Sequence, residues 1–219
     1  ATATKTLEVF QNPSASVGTF PATGCDPLVV NFNNTSTAGT PMTYLWQFSD
    51  GTSSTLQNPT HIFTPAGVYG FSLSVMTNQN CIDTSNLVSV NSIIVKPTPV
   101  ANFSYISATG LCFIGNNFSF NNTSVFQGIN GTLLWDFGTN ASLQTSTATT
   151  VSNISYNAIG NYPVTLIAEE NGCSDTITNV VELYENPTAS IEPIIALGCD
   201  PMSVKFINTS SSASPLTYL

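Results

Sequence analysis

Arginine is absent from this 219-residue chain, lysine stands only at positions 5, 96 and 205, and His61 is the only histidine. Charged residues make up 7% of the sequence and the formal net charge is -9, so no basic cluster exists to release counterions from phosphates. That excludes nucleic acid as a partner and electrostatic attachment to an anionic membrane surface. Long apolar runs are missing too. No stretch approaches the roughly 18 residues of a membrane span, and no charged-then-apolar leader opens the sequence, so no membrane insertion of this segment is expected. Metal-ligand spacing is also lacking. With no CxxC pair and no histidine cluster, the five cysteines fit disulfides in an oxidising compartment better than zinc or redox chemistry.

What is present is a 42% hydrophobic content, enough to bury a core, under a surface that must be built mainly from Ser, Thr and Asn. Such a surface suits the outside of a cell. The sequence also repeats. Asn12-Pro13-Ser14-Ala15-Ser16 returns as Asn186-Pro187-Thr188-Ala189-Ser190, and Cys25, Cys112 and Cys199 stand 87 and 87 residues apart. Asn34-Thr35-Ser36, Asn122-Thr123-Ser124 and Asn208-Thr209-Ser210 keep the same rhythm, as do Trp46 and Trp135, and Cys81-Ile82-Asp83-Thr84 answers Cys173-Ser174-Asp175-Thr176. Two whole repeats are expected, residues 12–98 and 99–186. Residues 1–11 read as the last strand of a preceding repeat, because Leu7-Glu8-Val9-Phe10-Gln11-Asn12-Pro13 matches Val181 to Pro187. Residues 187–219 read as the first strands of a following, truncated one, so both ends are expected to be cuts within a longer array.

Alternation with period two dominates each repeat and predicts half-buried strands. It places Tyr69, Phe71, Leu73 and Val75 on one face, and Tyr162, Val164, Leu166 and Ala168 on the equivalent face; Leu28, Val30 and Phe32, then Met202, Val204 and Phe206, follow suit. The core is therefore expected to hold Trp46, Trp135, Tyr69, Tyr162, Phe32, Phe120 and Phe206. About seven short strands per repeat are predicted: A near 14–20, B at 28–33, C at 43–48, a short D, E at 60–63, F at 68–77 and G at 87–95. With a tryptophan on the third strand and a tyrosine opening the sixth, the fold class is all-β, tandem immunoglobulin-like sandwiches in an extended array. Gly67 and Gly160 precede strand F where positive φ is often needed. Proline at the repeat boundaries is expected to stiffen the joints.

Trp46-Gln47-Phe48-Ser49-Asp50-Gly51, then Asn58-Pro59-Thr60-His61-Ile62-Phe63, then Pro65-Ala66-Gly67-Val68-Tyr69, resemble the polycystic-kidney-disease (PKD) domain pattern of W-x-F-G-D-G, N-P-x-H-x-Y and P-G-x-Y-x-V. Gly24-Cys25-Asp26-Pro27-Leu28 to Phe32 and Cys81 to Thr84 resemble the cysteine-containing variant found in giant surface proteins of gliding Bacteroidetes. The second repeat departs from the pattern, with Gly138-Thr139-Asn140 in place of G-D-G and no N-P-x-H. The resemblance implies a gliding-motility adhesin secreted by the type IX system, or a spacer of the kind carried by secreted chitinases and proteases.

In such a sandwich Cys25 lies in the A–B connection at one end and Cys81 at the F–G turn at the other, separated by a strand of about ten residues at roughly 3.3 Å each. A disulfide spans only about 4.4 to 6.8 Å between α-carbons. Head-to-tail stacking favours Cys25 with Cys173, which leaves Cys81, Cys112 and Cys199 to pair into repeats outside this sequence. Pairing within each repeat, Cys25 with Cys81 and Cys112 with Cys173, and free thiols stay open as alternatives.

Candidate chemistry is sparse. His61 would have to serve any triad or metal site, yet its equivalent is Ile154, which favours a core or turn-capping role. Asp50 with nearby loop oxygens is a candidate calcium site, weakened by Thr139 at the equivalent place. No other cofactor is expected. Glu169 and Glu170 are adjacent, hence on opposite faces of a strand, so they form no acid/base pair and are expected in solvent. Trp46 and Trp135 are read as core rather than as a sugar-stacking platform. The Asn-Thr-Ser triplets are read as turn and strand-end devices, and Asp175-Thr176-Ile177 as a weak O-glycosylation signal.

The expectation is a non-enzymatic, extracellular stalk at the cell surface, associated with the outer membrane. Its partners would be neighbouring repeats of the same chain, extracellular polysaccharide or a solid surface, and type IX secretion and gliding machinery elsewhere in the parent protein. A spacer or carbohydrate-binding module of a secreted hydrolase is the alternative.

Overall fold

Apolar residues at every second position, broken by glycine, proline and asparagine, resolve into strands: every regular element among the described residues is β. The computed structural model describes residues 4–86, 93–128, 130–193, 197–212 and 217. Two compact units result. The first is Ala1–Thr98 with Gln127–Asn130 and Glu170–Cys173; the second is Pro99–Phe126, Gly131–Glu169 and Ser174–Leu219.

The first unit contains β1 (Thr23–Cys25), β2 (Leu28–Asn31), β3 (Met42–Phe48), β4 (Ser53–Ser54), β5 (Thr60–Phe63), β6 (Gly67–Tyr69), β7 (Phe71–Thr77), β8 (Ile82–Asn86) and β9 (Ile93–Lys96). One sheet runs β4-β3-β7-β8; β9 carries β6 antiparallel on one side and β1 parallel on the other. Facing them, β2 pairs β5, and the bridges Ser14↔Thr37 and Val17↔Asn34 add a discontinuous first strand. The core lies between, where Val30, Phe32 and Phe63 meet Trp46, Phe48, Phe71, Leu73, Val75, Ile93 and Val95. Phe32 sits at its centre, with ring centroids of Phe20, Trp46, Phe48, Phe63 and Phe71 at 4.6 to 6.4 Å, the spacing aromatic pairs favour.

The sequence assigns the predicted short D strand to no sheet. β4 pairs with β3 through Trp46↔Ser54 and Gln47↔Ser53, so this short segment belongs to the sheet of the tryptophan. Strand F is interrupted at Gly70, whose N–H donates to Ser49 Oγ and whose carbonyl accepts from Ser49 N–H, both at 2.9 Å. Most of the predicted G strand, 87–92, lies outside the described residues. Residues 4–11, read as a strand, belong to no strand here.

The second unit repeats the plan with β10 (Phe103–Leu111), β11 (Phe118–Asn122), β12 (Thr132–Asp136), β13 (Thr145–Ser146), β14 (Thr150–Ile154), β15 (Gly160–Glu170) and β16 (Cys173–Leu183). Its sheets run β10-β11-β14 and β13-β12-β15-β16, with Trp135, Phe118, Phe120, Phe137, Val164 and Leu166 fully buried between them. Gly160 has the positive φ expected of it, 145°, whereas Gly67 does not. Beyond these come β17 (Ile191–Pro193) and β18 (Phe206–Asn208), paired antiparallel. Here the predicted core residue Phe206 is corrected: it is 61% exposed, as are Met202 and Val204 in part. Among the described residues of that segment no second sheet faces β18, so alternation has nothing to bury against.

Candidate functional site

Residues that recur from repeat to repeat were the candidates for function, and their hydrogen bonds show what they do. In all three Asn-Thr-Ser triplets the asparagine Oδ1 accepts from the serine N–H two residues on: Ser36 N to Asn34 at 2.9 Å, Ser124 N to Asn122 at 3.0 Å, Ser210 N to Asn208 at 2.9 Å. The same serine hydroxyl accepts from the backbone N–H of Ser16, Asn102 or Ser190, at 3.0 Å each time. The triplet is a clasp that ties the first strand of a repeat to the end of the second.

Aspartate in the Cys-x-Asp-Thr element closes the sandwich from the other side. Asp83 Oδ2 accepts from Ala15 N–H and Asp175 Oδ2 from Ala101 N–H, both at 2.8 Å. The recurrence is visible in the sequence as an acid held at one place in each repeat of an acid-poor chain, but the amide it grips is not. The core tryptophans are satisfied as indoles should be, Trp46 Nε1 donating to Leu56 O at 3.0 Å and Trp135 Nε1 to Ala148 O at 2.8 Å. Both are fully buried, so neither presents a ring to a sugar. Tyr69 is half-buried and Tyr162 buried; each hydroxyl donates to the carbonyl four residues upstream, Pro65 at 2.5 Å and Ala158 at 2.7 Å, the tyrosine corner of immunoglobulin-like domains.

Among the described residues, one cluster has the appearance of a reactive site: His61, Asp50 and Thr52. His61 Nε2 lies 2.7 Å from Asp50 Oδ2, and Thr52 Oγ1 donates to Asp50 Oδ1 at 2.7 Å. Burial pushes the Asp50 carboxyl up, but hydrogen bonds from Thr52 and His61 outweigh it and leave the carboxyl below the ordinary carboxylate value. The His61 ring stacks on Phe48, centroids 4.0 Å apart and planes 1° from parallel. Thr52 Oγ1 also lies 3.4 Å from His61 Nε2, but hydroxyl and imidazole each make their shorter contact, 2.7 Å, with the Asp50 carboxylate, so the hydroxyl proton is directed to the carboxylate rather than to the imidazole. The arrangement fastens the β3–β4 turn to β5. Across the sheet His61 pairs Val30 as Ile154 pairs Phe118.

Glu170 corrects an expectation. Rather than being solvated it is 1% exposed, with Oε2 accepting from Gln127 N–H at 2.8 Å and Oε1 unpartnered. The alternation Tyr162, Val164, Leu166, Ala168 already pointed there, since the next inward position is 170. Gly128 makes room for it: a β-carbon at that residue would stand 2.5 Å from Oε1.

Cys25 and Cys173 form a disulfide, Cα–Cα 5.6 Å, across a sequence separation of 148 residues. The turn before Cys173 is Asn171-Gly172, both at positive φ (53° and 80°), the conformation of a two-residue type I′ hairpin. Lys96 Nζ donates to Asn171 O at 3.0 Å. Cys81 and Cys112 are half-buried thiols and Cys199 an exposed one.

Residues 11–91 match the family model of the PKD domain. The match supports a PKD-type domain over the first repeat, where the sequence pattern is fullest. No curated protein matches the chain. Among solved structures it is similar to the fibronectin(III)-like modules of CbhA from Clostridium thermocellum, with 11% identity over 79% of this chain and 94% of that one, TM-score 0.33. It is also similar to three N-terminal domains of the highly immunogenic outer capsid protein Hoc of bacteriophage RB49, with 12% identity, 93% and 70% coverage and TM-score 0.33. An I-band fragment from titin aligns at 9% identity over 92% of this chain and 77% of that one, TM-score 0.36. Strand order and register, not these distant likenesses, establish the all-β immunoglobulin-like repeats. Domains of the PKD and immunoglobulin-like kinds are generally non-catalytic modules.

Proposed function

We propose that this chain is a non-enzymatic segment of a cell-surface adhesin, a stalk of tandem repeats that serves surface adhesion and gliding motility in a protein exported by the type IX system. Its place is extracellular, at the outer-membrane surface. The observation that carries the reading is the spending of its distinctive side chains on the scaffold: the clasp serines, the two aspartates, both tryptophans and the His61–Asp50 pair all hold strands together. The disulfide between residues 148 apart supports it, since a covalent cross-link keeps distant parts of a loaded chain from separating. Neighbouring repeats, and polysaccharide or a solid surface, are the partners this reading names; calcium at Asp50 is not needed for it, because that carboxylate is held by Thr52 and His61.

The test is attachment under flow. Beads coated with the chain are expected to stay on glass or on polysaccharide gel at shear that removes beads coated with an unrelated immunoglobulin-like sandwich. Equal detachment of the two, or hydrolysis of the gel by the chain, would overturn the proposal.

A further inference from the structure

The bonded pair divides the cysteines into two kinds. Cys25 closes β1, which runs parallel to β9 with Cys25 opposite Lys96, and the next amide, Asp26 N–H, donates to Lys96 O at 2.9 Å. Cys112 holds the same place. It forms a parallel bridge with Tyr184, and the next amide, Phe113 N–H, donates to Tyr184 O at 2.9 Å. Cys199 follows in the same Gly-Cys-Asp-Pro setting as Cys25. Cys81 is of the other kind. It stands where Cys173 stands, at the turn into the strand that follows, and two residues later Asp83 grips Ala15 N–H as Asp175 grips Ala101 N–H. In the disulfide that exists, one kind is bonded to the other.

We infer that Cys112 and Cys199 are receiving thiols and Cys81 a donating thiol for that same bond, so that a second copy of this chain couples to the first covalently and with fixed polarity, Cys81 to Cys112 or Cys199. The inference rests on the bond and on strand register, not on the adhesion reading. Its chemistry is thiol–disulfide exchange with a low-molecular-weight disulfide. The Cys81 thiolate attacks oxidised glutathione, forming a mixed disulfide and releasing one glutathione thiol. A Cys112 or Cys199 thiolate of the second copy then attacks the Cys81 sulfur, forming the protein disulfide and releasing the second. Two cysteine thiols are oxidised and one glutathione disulfide is reduced, with the two cysteine protons ending on the glutathione thiols.

The experiment incubates the purified chain with oxidised glutathione and reads non-reducing electrophoresis and disulfide-linked peptides by mass spectrometry. A ladder that collapses on reduction, built from Cys81–Cys112 and Cys81–Cys199 peptides between copies, is the expected result. Cys81→Ser is expected to abolish it, the double variant Cys112→Ser with Cys199→Ser likewise, and either single receiving-site variant to leave it. The retained Cys25–Cys173 peptide and a β-type circular dichroism spectrum show that each variant is folded. Persistent monomer, a Cys81–Cys112 bond within one copy, or links of like to like such as Cys81–Cys81 would each overturn the inference, whatever the beads do under flow.

Discussion

The two repeats share a plan and solve its local problems with different chemistry. Where the first has Leu28 opposite Phe63, an all-apolar pairing, the second has Asn116 and Tyr156. The Asn116 amide donates to Phe113 O at 2.8 Å and to Tyr156 O at 2.9 Å, and its Oδ1 accepts from Tyr156 N–H at 2.8 Å. Where the first anchors a turn with His61 and Asp50, the second has Ile154 and Thr139. Thr77 and Glu170 make the third contrast: the threonine closes its own turn through Cys81, the glutamate reaches Gln127. The lesson is that an immunoglobulin-like frame needs its tryptophan, tyrosine corner and clasp in place, while the sites between them accept either a satisfied polar group or an apolar one.

Removing what is shared produces the largest effect. Trp135→Ala is expected to cost the second repeat about 3 to 5 kcal/mol, and Trp46→Ala to do the same to the first. Each repeat holds one tryptophan, so the indole left behind reports the untouched repeat; denaturant unfolding followed by its fluorescence should show that transition unmoved. Coincident loss of both transitions would mean the repeats unfold as one unit. Opening the disulfide comes next. Cys25→Ser is expected to lower stability by about 2 to 4 kcal/mol, chiefly by freeing the unfolded chain, measured as a shift in the guanidinium midpoint against the non-reduced parent.

Exchanging what differs sharpens the comparison. Asn116→Leu copies the first repeat's residue into the second and strands the Tyr156 backbone groups. A loss of about 2 to 3 kcal/mol in the second repeat is expected, checked by urea unfolding. A neutral result would show that water replaces the amide. The smallest effect concerns acid. Because the Asp50 carboxyl is held below its ordinary value of 3.8 in the folded chain, it contributes stability that is complete above that value and lost as pH falls through the lower folded one. Thr139 contributes nothing of the kind, so on acidification the first repeat should weaken relative to the second. Asp50→Asn should remove that difference in thermal unfolding followed at pH 5 and below.

Much of this was legible in the residues. Alternation placed Phe71, Leu73 and Val75 inward, and the same alternation pointed at Glu170, though a carboxylate reads as solvated until a partner amide such as that of Gln127 is found. Phe206 shows the converse failure, for its spacing is that of a core strand but no facing sheet covers it among the described residues. Asp83 and Asp175 could be seen to recur; that they grip Ala15 and Ala101 could not, because those residues are 68 and 74 positions distant.

Sequence alone determined the strand alphabet of this protein: side chains alternate along an extended backbone with a period of two, and a tryptophan, a tyrosine and an Asn-Thr-Ser clasp return in step with it. Repeat topology already favoured Cys173 as the partner of Cys25, and that bond is the one formed; only the tertiary structure decided which strand edge took β4 and which amide met the Glu170 carboxylate. Those outcomes depend on distances of a few ångströms between residues far apart in the chain, and local pattern carries no record of such distances.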